Sequence, residues 1–235
     1  MNIVITGATK GIGKAIAEAF AEDKQGHTFY LCARNETTLQ LVGKELQGRF
    51  PRTNIFTKTC DMGQRESVAQ FASWILDAAD KIDVLVNNAG IFIPGSVEQE
   101  EEGALEKMMS VNLYGTYHLT RALLPVMKKN AQGHIFNICS VASLKAYHNG
   151  GAYSISKFAL YGFSQNLREE MKPYGIKVTS VLPGAAMTES WSGFDNSGKR
   201  IMEASDIAKL VYAASFLSPQ ACVEEILVRP QLGDL

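Results

Sequence analysis

Short apolar runs alternate with longer segments of helical periodicity along this chain, and no feature constrains its fold more. NIVIT (2–6) and residues 28–33, 54–59, 82–86, 134–138, 177–182 and 223–228 read as strands. Between them, 13–24, 36–47, 64–79, 99–129, 151–171 and 205–215 read as helices, the first from Ile16, Ala17 and Phe20 at helical spacing. The strand runs are nearly all apolar, as expected when both faces of a sheet are covered. Strands joined through helices must run parallel, with right-handed crossovers. The expected architecture is α/β, a doubly wound parallel sheet of about seven strands with helices on both faces. No linker, repeat or low-complexity tract interrupts it, so residues 1–235 are expected to form a single domain.

The first strand runs straight into TGATKGIG (6–13), which brings Gly7, Gly11 and Gly13 to the start of the first helix. Glycine weakens helices, so its use here needs a reason. A glycine turn lets bare backbone N–H groups approach a pyrophosphate, and the helix N-terminus adds partial positive charge. The position, first strand into first helix, favours a Rossmann-type dinucleotide site over a plain tight turn. The second strand then ends in YLCARN. Ala33 stands where an acid would take the ribose 2′-hydroxyl of NAD, and Arg34 follows. Arg34 and Lys10 are both cations near the expected 2′ position, and charge-assisted hydrogen bonds are worth about 1.5–3 kcal/mol each. NADP(H) is therefore expected over NAD(H).

Two further stretches carry chemistry. The fifth strand runs into NICSVAS (137–143), so Ser140 lies at a C-terminal strand end, where doubly wound sheets place their ligands. Thirteen residues later comes YSISK, with Tyr153 and Lys157 four apart on one helix face. A carbonyl receiving hydride develops negative charge on oxygen and needs a proton. Ser140 would polarise that oxygen, Tyr153 would supply the proton, and the Lys157 ammonium would lower the phenol's pKa toward working pH.

Taken together, TGATKGIG, Asp61 after the third strand, NNAG (87–90), Asn112 in SVNLYGT, Ser140, YSISK and PGAAMT (183–188) resemble the short-chain dehydrogenase/reductase family from Ile3 to about Thr188. The resemblance implies a Ser140–Tyr153–Lys157 active site, with Asn112 holding a water in a proton relay to Lys157. It implies cofactor contacts from Thr9 and Ile12 in the glycine loop, from Asp61 to the adenine, and from Asn87, Ala89 and Gly90 in the cleft. Tyr153 and Lys157 would also hold cofactor, and Pro183, Gly184 and Thr188 would frame the nicotinamide amide. The chain closes VEEILVRPQLGDL, without the Thr-Gly…Asp-Gly-Gly ending usual in bacterial 3-oxoacyl-carrier-protein reductases, and its substrate loop, about 188–203, is short. Both features are more similar to sepiapterin-reductase-like carbonyl reductases. An acyl-carrier-protein reductase, and a regulator that senses NADP(H) without turnover, stay open as alternatives.

A small-molecule carbonyl substrate is expected to be bordered by Ser143, Tyr147, His148, Trp191 and Phe194, which follow Ser140 and Thr188. No His/Asp/Glu grouping suggests a metal. The acidic run Glu98, Glu100, Glu101 and Glu102 reads as a solvated helix start, with Ser96 and Gln99 at capping-box spacing. With a net charge of −1, nothing points to nucleic acid or a membrane surface. Met1 leads at once into a strand and no run of about 18 apolar residues occurs, so a cytoplasmic protein is expected. Cys32, Cys60, Cys139 and Cys222 read as buried free thiols. The family resemblance implies a homodimer or homotetramer formed through the two long helices.

Overall fold

The computed structural model describes residues 1–188, 191 and 193–234. Seven strands form one sheet in the order β3-β2-β1-β4-β5-β6-β7. They are β1 (Asn2–Thr6), β2 (Thr28–Ala33), β3 (Asn54–Thr59), β4 (Val84–Asn87), β5 (Gly133–Ile138), β6 (Ile176–Pro183) and β7 (Glu225–Val228). Every pairing is parallel. The order reverses between β1 and β4, where Ile5 lies opposite Val86. At such a switch point the loops after two neighbouring strands diverge to opposite faces and leave a crevice. Here those loops are the glycine loop after β1 and NNAG after β4.

Helices α1 (Gly11–Ala21), α2 (Glu36–Arg49) and α7 (Ala204–Ser215) cover one face, and α3 (Arg65–Ala78), α5 (Thr116–Lys129) and α6 (Gly151–Met171) cover the other. The first helix buries Gly13, Ile16, Ala17, Phe20 and Ala21, a stripe at i, i+3, i+4, i+7 and i+8. Phe20 meets Tyr212 of α7 edge to face, with ring centroids 5.2 Å apart. On the opposite face Phe71, Ile75, Leu119, Leu123 and Met127 pack against Val4, Leu85 and Ile135 of the sheet. The near-continuous apolar strands are what both layers require.

One element departs from the sequence expectation. The helix predicted from about 99 begins at Ala104, as α4 (Ala104–Met109). Gly103, with φ +83, turns the chain into it, and the Ser96 carbonyl collects the Gln99 and Glu100 N–H groups in a separate turn. Ser96 and Gln99 therefore cap no helix. The helix then widens to π geometry over Ser110–Gly115 before α5. Close packing accompanies the widening, since a Cβ at Gly115 would lie 2.1 Å from the Met62 carbonyl oxygen. Cys32, Cys60 and Cys139 are buried as expected, whereas Cys222 is exposed, because β7 starts only at Glu225.

Candidate active site

The glycine loop has the shape a diphosphate needs. Gly7 and Gly11 have φ of +66 and +55, a region that side chains disfavour. A Cβ at Gly13 would sit 2.4 Å from Asn88 Nδ2 and 2.5 Å from the Gly7 carbonyl oxygen. Lys10 occupies the N-cap of α1 and makes no side-chain cap bond, so no N-cap side chain competes for the helix's first N–H groups. The loop is held from beneath. Asn88 Nδ2 donates to the carbonyls of Thr6 (2.9 Å) and Gly7 (3.0 Å), while Thr6 Oγ1 accepts the N–H groups of Asn88 and Ala89. Thr188 packs across it, its Cγ2 lying 3.2 Å from where a Gly11 Cβ would be. These residues fit a dinucleotide diphosphate on bare backbone. Arg34 is exposed at the end of β2, one residue past Ala33, and Lys10 is exposed beside the loop. Asp61 follows β3, with its carboxylate accepting the Gly63 N–H at 2.9 Å.

Asn87 and Asn88 divide their tasks differently from the expectation. Asn87 is 1% exposed and does not open onto the cleft. Its Nδ2 donates to Asn137 Oδ1 (2.8 Å) and Thr120 Oγ1 (3.0 Å), which ties β4 to β5 and α5. Asn88, not singled out by the sequence reading, is the residue that holds the glycine loop. Side chains alternate along an extended strand end, so one of two neighbouring asparagines must point inward.

At the end of β5, Ser140 caps a short turn, and its Oγ accepts the Ala142 N–H at 3.1 Å. Tyr153 and Lys157 come from the first two turns of α6. Lys157 is 5% exposed, its Nζ donating to the Ile138 carbonyl at 2.8 Å and lying 5.8 Å from the Tyr153 ring centre. Burial pushes the Tyr153 phenol above its ordinary value, and a hydrogen bond with the Ser140 side chain opposes that rise. Burial likewise lowers the Lys157 ammonium. Desolvation thus opposes the lowering of the phenol expected from Lys157. Both groups are desolvated, and the charged form of each is disfavoured. Cys139, next to Ser140, is pushed by burial up to about 12 and stays a neutral thiol.

Asn112 sits in the π-helical segment and is fully buried. Its Oδ1 accepts the Ile91 N–H (2.8 Å), and its Nδ2 donates to the Ile91 carbonyl (3.0 Å) and Ser156 Oγ (2.9 Å). The side chain thus clamps the segment after NNAG to α6. It also borders Lys157. A Cβ at Gly90 would lie 3.2 Å from Asn112 Oδ1 and 3.6 Å from Lys157 Nζ. Gly90 is the residue that leaves room between them.

Of the substrate candidates, Tyr147 is near Tyr153: burial first, then the neighbouring phenol, push it up to about 12. His148 is exposed in the same loop. Ser143 is 1% exposed, and its hydroxyl accepts the Ser140 N–H at 3.2 Å, so it holds the turn at Ser140 rather than opening to the surface. Trp191 and Phe194 meet edge to face at 5.4 Å. The loop's ends are joined where Ala186 bridges Met202, and residues 189, 190 and 192 of that loop lie outside the described residues. Gly184 accepts the chain's closing turn, its N–H donating to the Val228 carbonyl at 2.8 Å, while Pro183 ends β6. Phe92 was missed by sequence reasoning. It is half-exposed and sets its ring against Tyr153 at 4.9 Å, a contact that spacing along the chain could not reveal.

Comparisons with known proteins show similarity over nearly the whole chain. The family model described as short chain dehydrogenase matches residues 1–197. Sepiapterin reductase of Chlorobaculum tepidum is 34% identical over 239 aligned residues, covering 99% of this chain and 97% of that protein. A metagenomic short-chain oxidoreductase solved with NADP superposes with a TM-score of 0.85 at 32% identity, over 98% of this chain and 97% of that one. An alcohol dehydrogenase from the archaeon Thermococcus sibiricus, complexed with 5-hydroxy-NADP, gives a TM-score of 0.90 at 29% identity, over 98% and 96% of the two chains. Among the described residues, no helix is long and apolar enough to cross a membrane.

Proposed function

Because the chain belongs to the short-chain dehydrogenase family of oxidoreductases, we propose that it is an NADPH-dependent reductase of a small ketone or aldehyde. The observation that carries this reading is the meeting of Ser140 and Tyr153 beside the buried Lys157 at the C-terminal end of β5. Bound NADPH supplies the hydride. Ser140 polarises the carbonyl oxygen, and Tyr153, kept protonated by its burial, gives that oxygen its proton. Lys157 is fixed by the Ile138 carbonyl near the phenol, and Asn112 secures the neighbouring segment at Ile91 to α6. Lys10 and Arg34 favour a 2′-phosphate over a 2′-hydroxyl, in keeping with the NADP ligands of the similar structures. Phe92 and Tyr147 lie beside Tyr153, and with Trp191 and Phe194 from the short loop they would give the pocket an aromatic character suited to a flat or apolar carbonyl compound.

The test is a panel of ketones, aldehydes and diketones, sepiapterin included, followed at the nicotinamide absorbance with NADPH. Turnover that disappears in Tyr153→Phe while NADPH still binds supports the assignment. Full activity in that variant removes it. Tight NADPH binding with no turnover across the panel would favour a cofactor-sensing role. We also read the chain as a homodimer or homotetramer, because Tyr114 (50% exposed), Tyr117 (37%), Ile155 (46%) and Phe158 (43%) leave apolar surface on the π segment, α5 and α6.

A further inference from the structure

The start of α6 is capped from outside its own sequence. Gly150 at the N-cap has no side chain to accept the first N–H groups. Instead, the Ala152 N–H donates to Glu100 Oε1 at 2.7 Å, across 52 residues of chain. A second tie lies beside it, where the Gly95 N–H donates to the Asn149 carbonyl at 3.2 Å. The backbone between these ties is left-handed at Asn149 (φ +59) and Gly151 (φ +22). Such a backbone persists only where its surroundings over-determine it. No side chain fits at 151, since a Cβ would lie 2.1 Å from Glu100 Oε1 and 2.6 Å from the Gly95 carbonyl oxygen. Glu98, Glu101 and Glu102 are exposed, and Glu100 alone in the acidic run is partly covered. Tyr153 is the very next residue after Ala152, and Ile91 and Ile93 pack with it, Ala104 and Met108 in one small apolar cluster.

We propose that Glu100 is a positioning residue for carbonyl reduction. Its carboxylate latches the segment after NNAG onto the first turn of α6 and so sets the Tyr153 hydroxyl against Ser140. The proposal rests on the reading of Tyr153 as proton donor. A small displacement of a reacting group can cost on the order of a hundredfold in rate, so the latch acts on kcat rather than on binding.

Glu100→Ala and Glu100→Gln separate this role from bulk stability, because glutamine keeps a carbonyl oxygen for the Ala152 N–H. In Glu100→Ala, kcat is expected to fall about tenfold to a hundredfold. The carbonyl KM and the NADPH Kd should change little, and Glu100→Gln should recover most of the loss. Gly151→Ala intrudes on the same contact and should reproduce the Glu100→Ala loss, and the double variant should be no worse than either single one. A Glu100→Ala kcat equal to that of the parent, or a Glu100→Gln as poor as Glu100→Ala, overturns the latch. Amide hydrogen exchange gives a readout without turnover: Glu100→Ala should speed exchange across 151–157 and leave β1–β4 unchanged. Unaltered exchange there also overturns it. If instead Tyr153→Phe turns over normally while exchange responds to Glu100→Ala, the proton-donor reading has failed and the latch has not.

Discussion

Tyr153 and Lys157 stand one helical turn apart, and burial opposes the acidifying effect an ammonium would have on the phenol. Desolvation acts on both, raising one and lowering the other. For a proton donor this is useful, since a raised phenol stays protonated through neutral pH. The pH profile of kcat/KM for reduction should therefore be flat from about pH 6 to 9 and fall only as the phenol ionises, above its ordinary value near 10. A descending limb near pH 7–8 would contradict it. Arg34 carries a second expectation at this scale. Arg34→Ala should weaken NADPH binding by about tenfold or more per lost contact, by equilibrium measurement, and leave NADH binding nearly unchanged. His134 on β5 makes a third. It is 4% exposed and stacked on Phe136, with Nε2 2.7 Å from Thr179 Oγ1, whose own proton goes to the Val223 carbonyl. Burial and then Lys177 hold its pKa down at about 3. The unfolded chain takes up a proton below about pH 6.5 that the folded chain refuses until about 3, so stability falls with falling pH across that window. The slope is about 1.4 kcal/mol per pH unit. Urea unfolding at pH 6.5 and 4.5 should show that loss reduced in His134→Asn.

At the scale of elements, the site depends on departures from regular structure. The left-handed glycines of the first loop, the π-helical turn around Asn112 and the strained entry to α6 each place a group that an ideal helix or turn would misplace. Such departures concentrate at functional sites because they hold groups in uncommon directions. Gly13→Ala tests the first of them. Its methyl would collide with Asn88 Nδ2 and the Gly7 carbonyl oxygen, and overpacking of this kind costs about 1–3 kcal/mol. The expected outcome is a lower melting temperature together with lost NADPH affinity, both visible in one thermal-shift series with and without cofactor.

For the whole molecule, the reversal between β1 and β4 brings the glycine loop and NNAG side by side, and β5 puts Ser140 next along the same edge. Two apolar layers hold this edge in place. Phe20 is fully buried between α1 and α7, and Phe20→Ala should cost about 3–5 kcal/mol in denaturant unfolding. The exposed aromatic residues of the π segment, α5 and α6 bear on assembly. Phe158→Glu should shift the protein toward the monomer in sedimentation, whereas an unchanged oligomer would place the interface elsewhere.

Strand number, parallel direction and the helical layers were all legible along the chain, because burial on both faces forces an apolar code that local order reveals. So were the glycine loop and the Ser140–Tyr153–Lys157 spacing, since each depends on residues close in sequence or on the known rise of a helix. The late start of α4, the inward turn of Asn87, the duty of Asn88, the contact of Phe92 and the reach of Glu100 were decided only in three dimensions. Each joins groups from separate loops, whose meeting depends on where the sheet sets them down. The direction of the Tyr153 and Lys157 shifts belongs with these, because desolvation is a property of the packed molecule and not of two residues four apart.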